Sequence, residues 1–173
     1  MANENLWAPW RLHYILASKD NASAECFICR GLKGDADREN LIVCREAQTV
    51  VLLNRYPYNN GHLLVAPSAH KGTLGELSDS EMLELMQTLR RMMQVLDDAI
   101  QPHGYNVGLN LGRVAGAGLP GHLHWHVVPR WNGDTNFMPV VSDTRVIVQS
   151  LEALYDLLKE RLDETGRISP NHD

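Results

Sequence analysis

The stretch Gly121-His122-Leu123-His124-Trp125-His126-Val127-Val128-Pro129-Arg130 decides the fold of this chain. Three of the eight histidines lie here, at positions i, i+2 and i+4. Side chains alternate between the two faces of a β-strand, so this spacing places all three imidazoles on one face. Leu123, Trp125 and Val127 then occupy the other face. A helix would distribute the three rings around its axis, and the pattern therefore predicts a strand with one apolar face.

The length and composition of the chain limit its class. Its 173 residues predict one domain over 1–173, with an N-terminal arm over 1–20 and a tail over about 167–173. The formal net charge of -5 disfavours a general nucleic-acid groove, which needs a cationic surface. No apolar run approaches the roughly 18 residues of a membrane-spanning helix, and the first residues do not follow the order of a signal peptide. We therefore expect a cytosolic protein with no membrane or nucleic-acid partner.

Apolar runs and turn signals predict the other elements. β-Branched or alternating runs predict further strands at 41–45, 49–54, 62–67 and 105–111. A capping-box pattern at 78–81 predicts a helix to about residue 100, and a second amphipathic helix is predicted over about 146–164, with Gly166 at its end. The predicted core-facing residues are Met82, Leu85, Met86, Leu89, Met92, Met93 and Leu96 in the first helix, and Leu151, Leu154, Tyr155, Leu158 and Leu162 in the second.

The cysteines indicate a metal site or a redox pair. Cys26 and Cys29 are separated by two residues, a spacing that lets two thiolates bind one tetrahedral zinc. A redox pair is the alternative, although no thioredoxin-like strand and helix surround the two cysteines. Cys44 lies in a predicted strand, and we interpret it as a small core residue.

Three imidazoles on one strand face allow two kinds of chemistry. Each buried neutral ring needs a donor and an acceptor partner, so three of them without a function would be costly. In one interpretation the histidines bind a catalytic zinc that activates water. In the other, one imidazole attacks a phosphorus atom and forms a phosphoramidate, while its neighbours hold the phosphate oxygens. The residues alone leave both open.

The residues from His122 to Val128 resemble the signature of the histidine triad family, in which three histidines alternate with apolar residues. The run from Asn54 to His70, Asn-Arg-Tyr-Pro-Tyr-Asn-Asn-Gly-His-Leu-Leu-Val-Ala-Pro-Ser-Ala-His, is similar to the family's strand-loop-strand. The resemblance covers roughly residues 26–131. The flanking Trp7-Ala8-Pro9-Trp10-Arg11 and the segment 129–137 are similar to the bacterial branch that includes diadenosine tetraphosphate phosphorylases and hydrolases.

The resemblance implies an α+β fold with a five-stranded antiparallel sheet and two main helices, usually in a homodimer. It implies that His124 attacks the α-phosphate of a nucleotide and forms a nucleotidyl-histidine. His126 would contact phosphate and assist the leaving group. Asn54 and His62 match positions that line the nucleotide site, and Asn110 matches a polar residue before the glycine-bearing loop.

The resemblance also implies a use for the cysteines. In zinc-bearing relatives, the ligands match Cys26, Cys29, His70 and His122 here, which makes a closed structural Cys2His2 site rather than a catalytic one. His122 would then belong to the zinc, and His124 would be free to react.

One loop departs from the family pattern. Many relatives carry Gly-Gln-Ser/Thr-Val shortly before the triad, whereas residues 116–121 read Gly-Ala-Gly-Leu-Pro-Gly. Backbone N–H groups, Gly118 among them, or Arg113 would have to hold the phosphate instead. We predict a hydrolase or transferase acting on a dinucleoside polyphosphate or a related adenine nucleotide. The alternatives are a purine nucleoside phosphoramidate hydrolase, a zinc hydrolase that uses all three histidines, and a non-enzymatic nucleotide-binding module.

Overall fold

The computed structural model describes residues 25–134 and 147–167 of the chain. The tryptophans of the predicted arm and the segment around Phe137 lie outside the described residues. The described elements, in chain order, are helix α1 (Phe27–Leu32), strands β1 (Ile42–Arg45), β2 (Thr49–Leu53) and β3 (Leu63–Pro67), helix α2 (Asp79–Ile100), strands β4 (Gly104–Leu109) and β5 (Trp125–Arg130), and helix α3 (Leu151–Arg167). Short 3-10 turns lie at Leu74–Glu76 and Arg113–Ala115.

The five strands form one antiparallel sheet in the order β1-β2-β3-β5-β4. This confirms the predicted fold class. Every residue of β2 and β3 is buried, which explains why their sequences read as continuous apolar runs rather than as alternating ones. β5 lies between β3 and β4, so the histidine segment enters the sheet beside β3, which leads to His70.

The two faces of the sheet are covered differently. Helices α2 and α3 pack on one face and form the larger core. The opposite face carries a smaller cluster, in which Ile28 of α1 packs against Ile42, Val50 and Leu52, with Leu119 at its margin. Both Leu123 and Val127 belong to the larger core. The alternation predicted for the histidine segment is therefore confirmed, because its apolar residues face the two long helices.

Helix α2 begins where the capping box predicts. The Ser78 hydroxyl accepts the Glu81 N–H, and the Glu81 carboxylate accepts the Ser78 N–H. The predicted stripe is wrong at two positions, because Met82 is 40% exposed and Met86 is 49% exposed. The buried arc is rotated toward Glu81 and Thr88, polar residues that a hydrophobicity pattern omits.

Several predicted boundaries need correction. β4 ends at Leu109, two residues before its predicted end. β5 begins only at Trp125, so His122 and His124 precede the strand, although their side chains keep its alternation. Helix α3 begins at Leu151, after the Ser150 hydroxyl accepts the Ala153 N–H, and it continues past Gly166. Its inward residues Leu154, Tyr155, Leu158 and Leu162 are buried as predicted, and Leu151 is partly buried against them. Among the helices that the structure describes, none is long and apolar enough to cross a membrane.

Candidate active site and metal centre

Two cysteines and two histidines converge at one end of the sheet. Cys26 is the N-cap of α1, and its sulfur accepts the N–H of Cys29, so the first turn of this short helix brings both thiols together. Helix α1 was not among the elements predicted from the sequence. The Cys29 sulfur lies 3.2 Å from Nδ1 of His70, and Nδ1 of His122 lies 3.3 Å from the Cys26 sulfur. The four ligand atoms all lie within 4.8 Å of one another.

This cluster fits a tetrahedral metal ion. Zinc bound to two sulfurs at about 2.3 Å and two nitrogens at about 2.0–2.1 Å places neighbouring ligand atoms about 3.3–3.8 Å apart. His122 is also in the correct tautomer, because its Nε2–H donates to the Pro67 carbonyl over 2.8 Å and leaves the Nδ1 lone pair facing the sulfurs. Burial lowers the pKa of His122, which favours the neutral form that a metal ligand requires. Burial and the adjacent Cys26 raise the pKa of Cys29 to about 11, so a cation is needed there to stabilise the thiolate.

Arg45 fastens the segment that carries the cysteines to the sheet. It lies at the end of β1, and its guanidinium donates to the carbonyls of Gly31, Leu32 and Gly34. The same group pairs with Asp37, with Nη2 and Oδ1 separated by 2.6 Å. These bonds satisfy carbonyls at the C-terminal end of α1 that have no partner within the helix. They therefore hold α1 in position beside the histidines.

The segment after β3 is held against the histidine run in a similar way. The Leu123 N–H donates to the Lys71 carbonyl over 2.7 Å. The Lys71 ammonium pairs with the nearly buried Glu81 at the start of α2. Gly72 approaches Gly121 so closely that a Cβ on Gly72 would lie 3.4 Å from the Gly121 carbonyl oxygen. This packing fixes His70 opposite His122.

His124 has a different environment from His122. It is 6% exposed, and its Nδ1–H donates to the carbonyl of His122 over 2.8 Å. This bond fixes the neutral ring with its lone pair on Nε2. Burial lowers the pKa of His124, against the opposing effect of the carbonyl. The ring is therefore a neutral base or nucleophile with one defined reactive nitrogen.

His126 receives a hydrogen bond that fixes its proton on the nitrogen opposite to the one protonated in His124. The N–H of Tyr58 donates to Nδ1 of the buried His62 over 3.0 Å, so neutral His62 carries its proton on Nε2. That proton is donated to Nδ1 of His126 over 2.9 Å. Neutral His126 then carries its own proton on Nε2 and acts there as a hydrogen-bond donor. Burial, helped by the nearby His124, lowers the pKa of His126 to about 4.

The other predicted site residues surround these rings to different extents. Asn54 lies beside His62, with its Nδ2 3.3 Å from Nδ1 of His62. Asn110 follows β4 directly, one residue after the Leu109 that pairs with Trp125. Gly118 is exposed in the loop before the triad. The Asn54 and His62 side chains are thus in the histidine cluster, and Asn110 and Gly118 are placed by their backbone positions.

Four contributors to the site were not predicted as such from the sequence: Tyr58, Arg45, Lys71 and Glu81. The sequence places Tyr58 only between two predicted strands, yet its N–H donates to His62 and its ring lies over His126. No role is predicted for Arg45 or Lys71. Only Glu81 had a signal, as the third residue of the capping box, and that signal points to the helix rather than to the site. The contact of the Tyr58 ring with His126 joins residues far apart in the chain, and no local spacing encodes it.

Comparison with known proteins places this geometry in context. The model of the HIT domain matches residues 36–133. An AP-4-A phosphorylase from Mycobacterium tuberculosis is 38% identical over 160 residues, which cover 90% of this chain and 82% of that protein. An adenosine 5'-monophosphoramidase from Schizosaccharomyces pombe is 32% identical over 107 residues, covering 62% of this chain and 75% of that protein.

A solved structure has the same fold. It is a zinc-bound histidine triad family protein from Mycobacterium smegmatis, with a TM-score of 0.67 and 25% identity. The match covers 83% of this chain and 96% of that one.

Proposed function

Because this chain belongs to the HIT domain family, we propose that it is a nucleotidyl hydrolase or transferase that attacks the α-phosphate of a dinucleoside polyphosphate such as diadenosine tetraphosphate. The observation that carries the proposal is the fixed tautomer of His124, whose Nδ1–H is bonded to the His122 carbonyl. The Nε2 lone pair is then available to attack phosphorus without prior loss of a proton.

The reaction would proceed in two displacements. Nε2 of His124 forms a bond to the α-phosphorus while the bond from phosphorus to the bridging oxygen breaks, and the remaining nucleoside polyphosphate departs. The Nε2–H of His126 donates a hydrogen bond to a phosphate oxygen as charge develops. Water or inorganic phosphate then attacks the same phosphorus, the P–N bond breaks and His124 is regenerated.

Asn54, Asn110 and Gly118 complete the proposed substrate site. Asn54 beside His62 offers an amide to the nucleotide, and Asn110 offers a second polar side chain from the position that follows β4. The loop before the triad carries Gly118 and no serine or threonine between Gly116 and Gly121, so its backbone N–H groups would bind phosphate oxygens. His62 has a further part, because it sets the proton position of His126.

We assign the metal cluster to structural zinc held by Cys26, Cys29, His70 and His122. Four protein ligands leave no position for water, so the zinc would cross-link α1 to the histidine run and supply no chemistry at phosphorus. The rival hydrolase that binds zinc through the three triad histidines is disfavoured. In the described part of the chain, His122 turns to the cysteines, while His124 and His126 make the separate bonds given above.

A homodimer is also part of the proposal. β4 lies at an edge of the sheet, and its residues Asn106, Val107 and Gly108 are exposed. An exposed strand edge is a template for pairing with a second strand. Sedimentation equilibrium should give twice the mass of one chain, and a monomer at micromolar concentration would reject this part.

Product analysis tests the reaction. The protein is incubated with diadenosine tetraphosphate, with and without inorganic phosphate, and the products are identified by mass. ADP that appears only with phosphate indicates phosphorolysis, and AMP with ATP indicates hydrolysis. A substrate with a P–N bond, adenosine 5'-phosphoramidate, tests the second candidate, which the similarity to the monophosphoramidase favours. Tight nucleotide binding without turnover of either substrate would show a binding module instead.

A further inference from the structure

Tyr58 lies in the loop between β2 and β3 and covers two histidines of the site. Its ring is nearly parallel to that of His126, with an interplanar angle of 22° and centroids 5.7 Å apart. The His62 ring lies at 4.6 Å with a tilt of 40°. Yet Tyr58 remains 46% exposed. An aromatic ring with a large accessible surface thus borders the imidazoles that surround the reacting phosphorus.

The arrangement of the rings indicates which base of the substrate lies near Tyr58. The ring centroids of His124 and His126 are 5.2 Å apart, and among the ring contacts of the described residues Tyr58 contacts His126 but not His124. A nucleophile displaces the leaving group away from itself. The first base is joined to the attacked phosphorus through one ribose, whereas the second base is separated from it by the remaining phosphates as well. A surface one ring farther from His124 than His126 is therefore better placed for the second base.

We propose that Tyr58 is the stacking platform for the base of the leaving nucleotide, which is the second nucleoside of a dinucleoside polyphosphate. This inference rests on the proposed function and adds the part of the substrate that the triad itself does not bind. Stacking on an aromatic ring is tolerant of base identity, because every base has a π face. The platform accordingly favours dinucleotides over substrates with small leaving groups and discriminates weakly among second bases.

The kinetic test compares two substrates in two variants. Diadenosine tetraphosphate has a leaving nucleotide, and adenosine 5'-phosphoramidate has only ammonia to release, while both give the same adenylyl-histidine. Tyr58→Leu removes the π face and Tyr58→Phe keeps it. We expect Tyr58→Leu to lower the ratio of kcat/KM for the dinucleotide to kcat/KM for the phosphoramidate by roughly 5- to 150-fold, the range of a lost base-aromatic stack. Tyr58→Phe should resemble wild type on both.

Two results overturn the assignment. An equal loss on both substrates would show that Tyr58 acts by holding His62 and His126, and an unchanged dinucleotide rate would show no stacking. Tyr56→Leu is the matched control, since Tyr56 lies two residues earlier in the same loop and is 72% exposed. If Tyr56→Leu lowers kcat/KM for the dinucleotide as much and as selectively as Tyr58→Leu does, the effect belongs to the loop as a whole and not to the Tyr58 ring.

A binding measurement separates this inference from the proposed reaction. In the His124→Ala background, calorimetry gives the Kd for diadenosine tetraphosphate and for AMP, which lacks a second base. Adding Tyr58→Leu should weaken binding of the dinucleotide more than binding of AMP, by the same factor by which the ratio of kcat/KM values falls in the kinetic test. If the wild-type protein turns over neither substrate, the proposed function fails, and the ratio of the two Kd values still decides the role of Tyr58.

Discussion

His122 and His124 are two residues apart, are both buried and each donate one ring N–H to a backbone carbonyl, yet they present opposite nitrogens. His122 donates from Nε2 to Pro67 and keeps a lone pair on Nδ1, among the cysteines. His124 donates from Nδ1 to residue 122 and keeps a lone pair on Nε2. The comparison teaches that the position of one carbonyl, rather than the residue type or its burial, separates the proposed metal ligand from the proposed nucleophile.

Among the substitutions that test this comparison, we expect replacement of His124, the proposed nucleophile, to have the largest effect. His124→Ala deletes the reactive nitrogen, and we expect turnover of diadenosine tetraphosphate to fall by roughly 1000-fold or more. The cysteines and His122 are untouched, so zinc content and Tm should stay near wild type. Steady-state kinetics, metal analysis and calorimetry measure the three quantities, and wild-type turnover in this variant would reject His124 as the nucleophile.

Replacing a cysteine tests the zinc site that we assign to His122. Cys26→Ala takes away one proposed zinc ligand, and metal binding contributes directly to folding free energy. A loss of about 3 kcal/mol would lower Tm by about 6–12 °C in a chain of this size. Zinc content per chain and calorimetry check this. The control is Cys44→Ala, because Cys44 is bonded to Glu46 and lies outside the cluster. A normally folded wild-type protein without metal would contradict the assignment.

A substitution outside the four proposed ligands tests whether α1 is held in position for zinc binding. Arg45→Met removes the bonds from β1 to the carbonyls after α1, and we expect the affinity for zinc to fall by about 10- to 100-fold. Competition with a chromophoric chelator gives the affinity. Arg55→Met is the matched control, because Arg55 donates to the Glu39 carbonyl alone among the described contacts. Equal zinc affinity in both variants would show that Arg45 does not position the cysteines.

The third histidine gives the smallest effect, through pH. Nδ1 of His126 accepts a hydrogen bond from His62 instead of donating one to a carbonyl, and burial lowers the pKa of His126 to about 4. In the unfolded chain this histidine binds a proton from solvent below about pH 6.5, whereas in the folded chain it does so only near pH 4. The contribution of His126 is therefore complete above that pH and is lost as the pH falls toward about 4, with a slope of at most about 1.4 kcal/mol per unit.

His126→Gln isolates this contribution. Urea unfolding of wild type and variant at a series of pH values gives the difference in free energy of unfolding. As the pH falls from 6.5 to 4, the free energy of unfolding of wild type should decrease relative to that of His126→Gln. A difference that is independent of pH would show that folding does not depress the pKa of His126.

The fold was largely predictable because local patterns determine it. The strand periods, the capping box before Asp79 and the alternation around His124 each act over a few residues, and they predict five strands and two long helices. The boundaries were less predictable. Helix α1 is only six residues long and is stabilised by Arg45 from β1, so its own sequence carries little signal.

The site was predictable in part, and mainly through resemblance. The spacing of the histidines indicates one face, but it does not reveal which nitrogen of each ring is free. That depends on the carbonyl of Pro67 and on the N–H of Tyr58, which come from distant parts of the chain. The roles of the site residues, the zinc and the dimer stay predictions for the experiments above, and a cytosolic location also stays a prediction.

The bond from His124 to the carbonyl of residue 122 has a consequence for mutational robustness. Every amino acid supplies that carbonyl, so a substitution at position 122 removes a proposed metal ligand without removing the acceptor that orients the proposed nucleophile. The metal centre and the nucleophile are thus separable under mutation although they share a residue. A lineage with this backbone could lose its cysteines and His122 stepwise, provided that other packing replaced the cross-link, and still inherit a His124 with the correct proton.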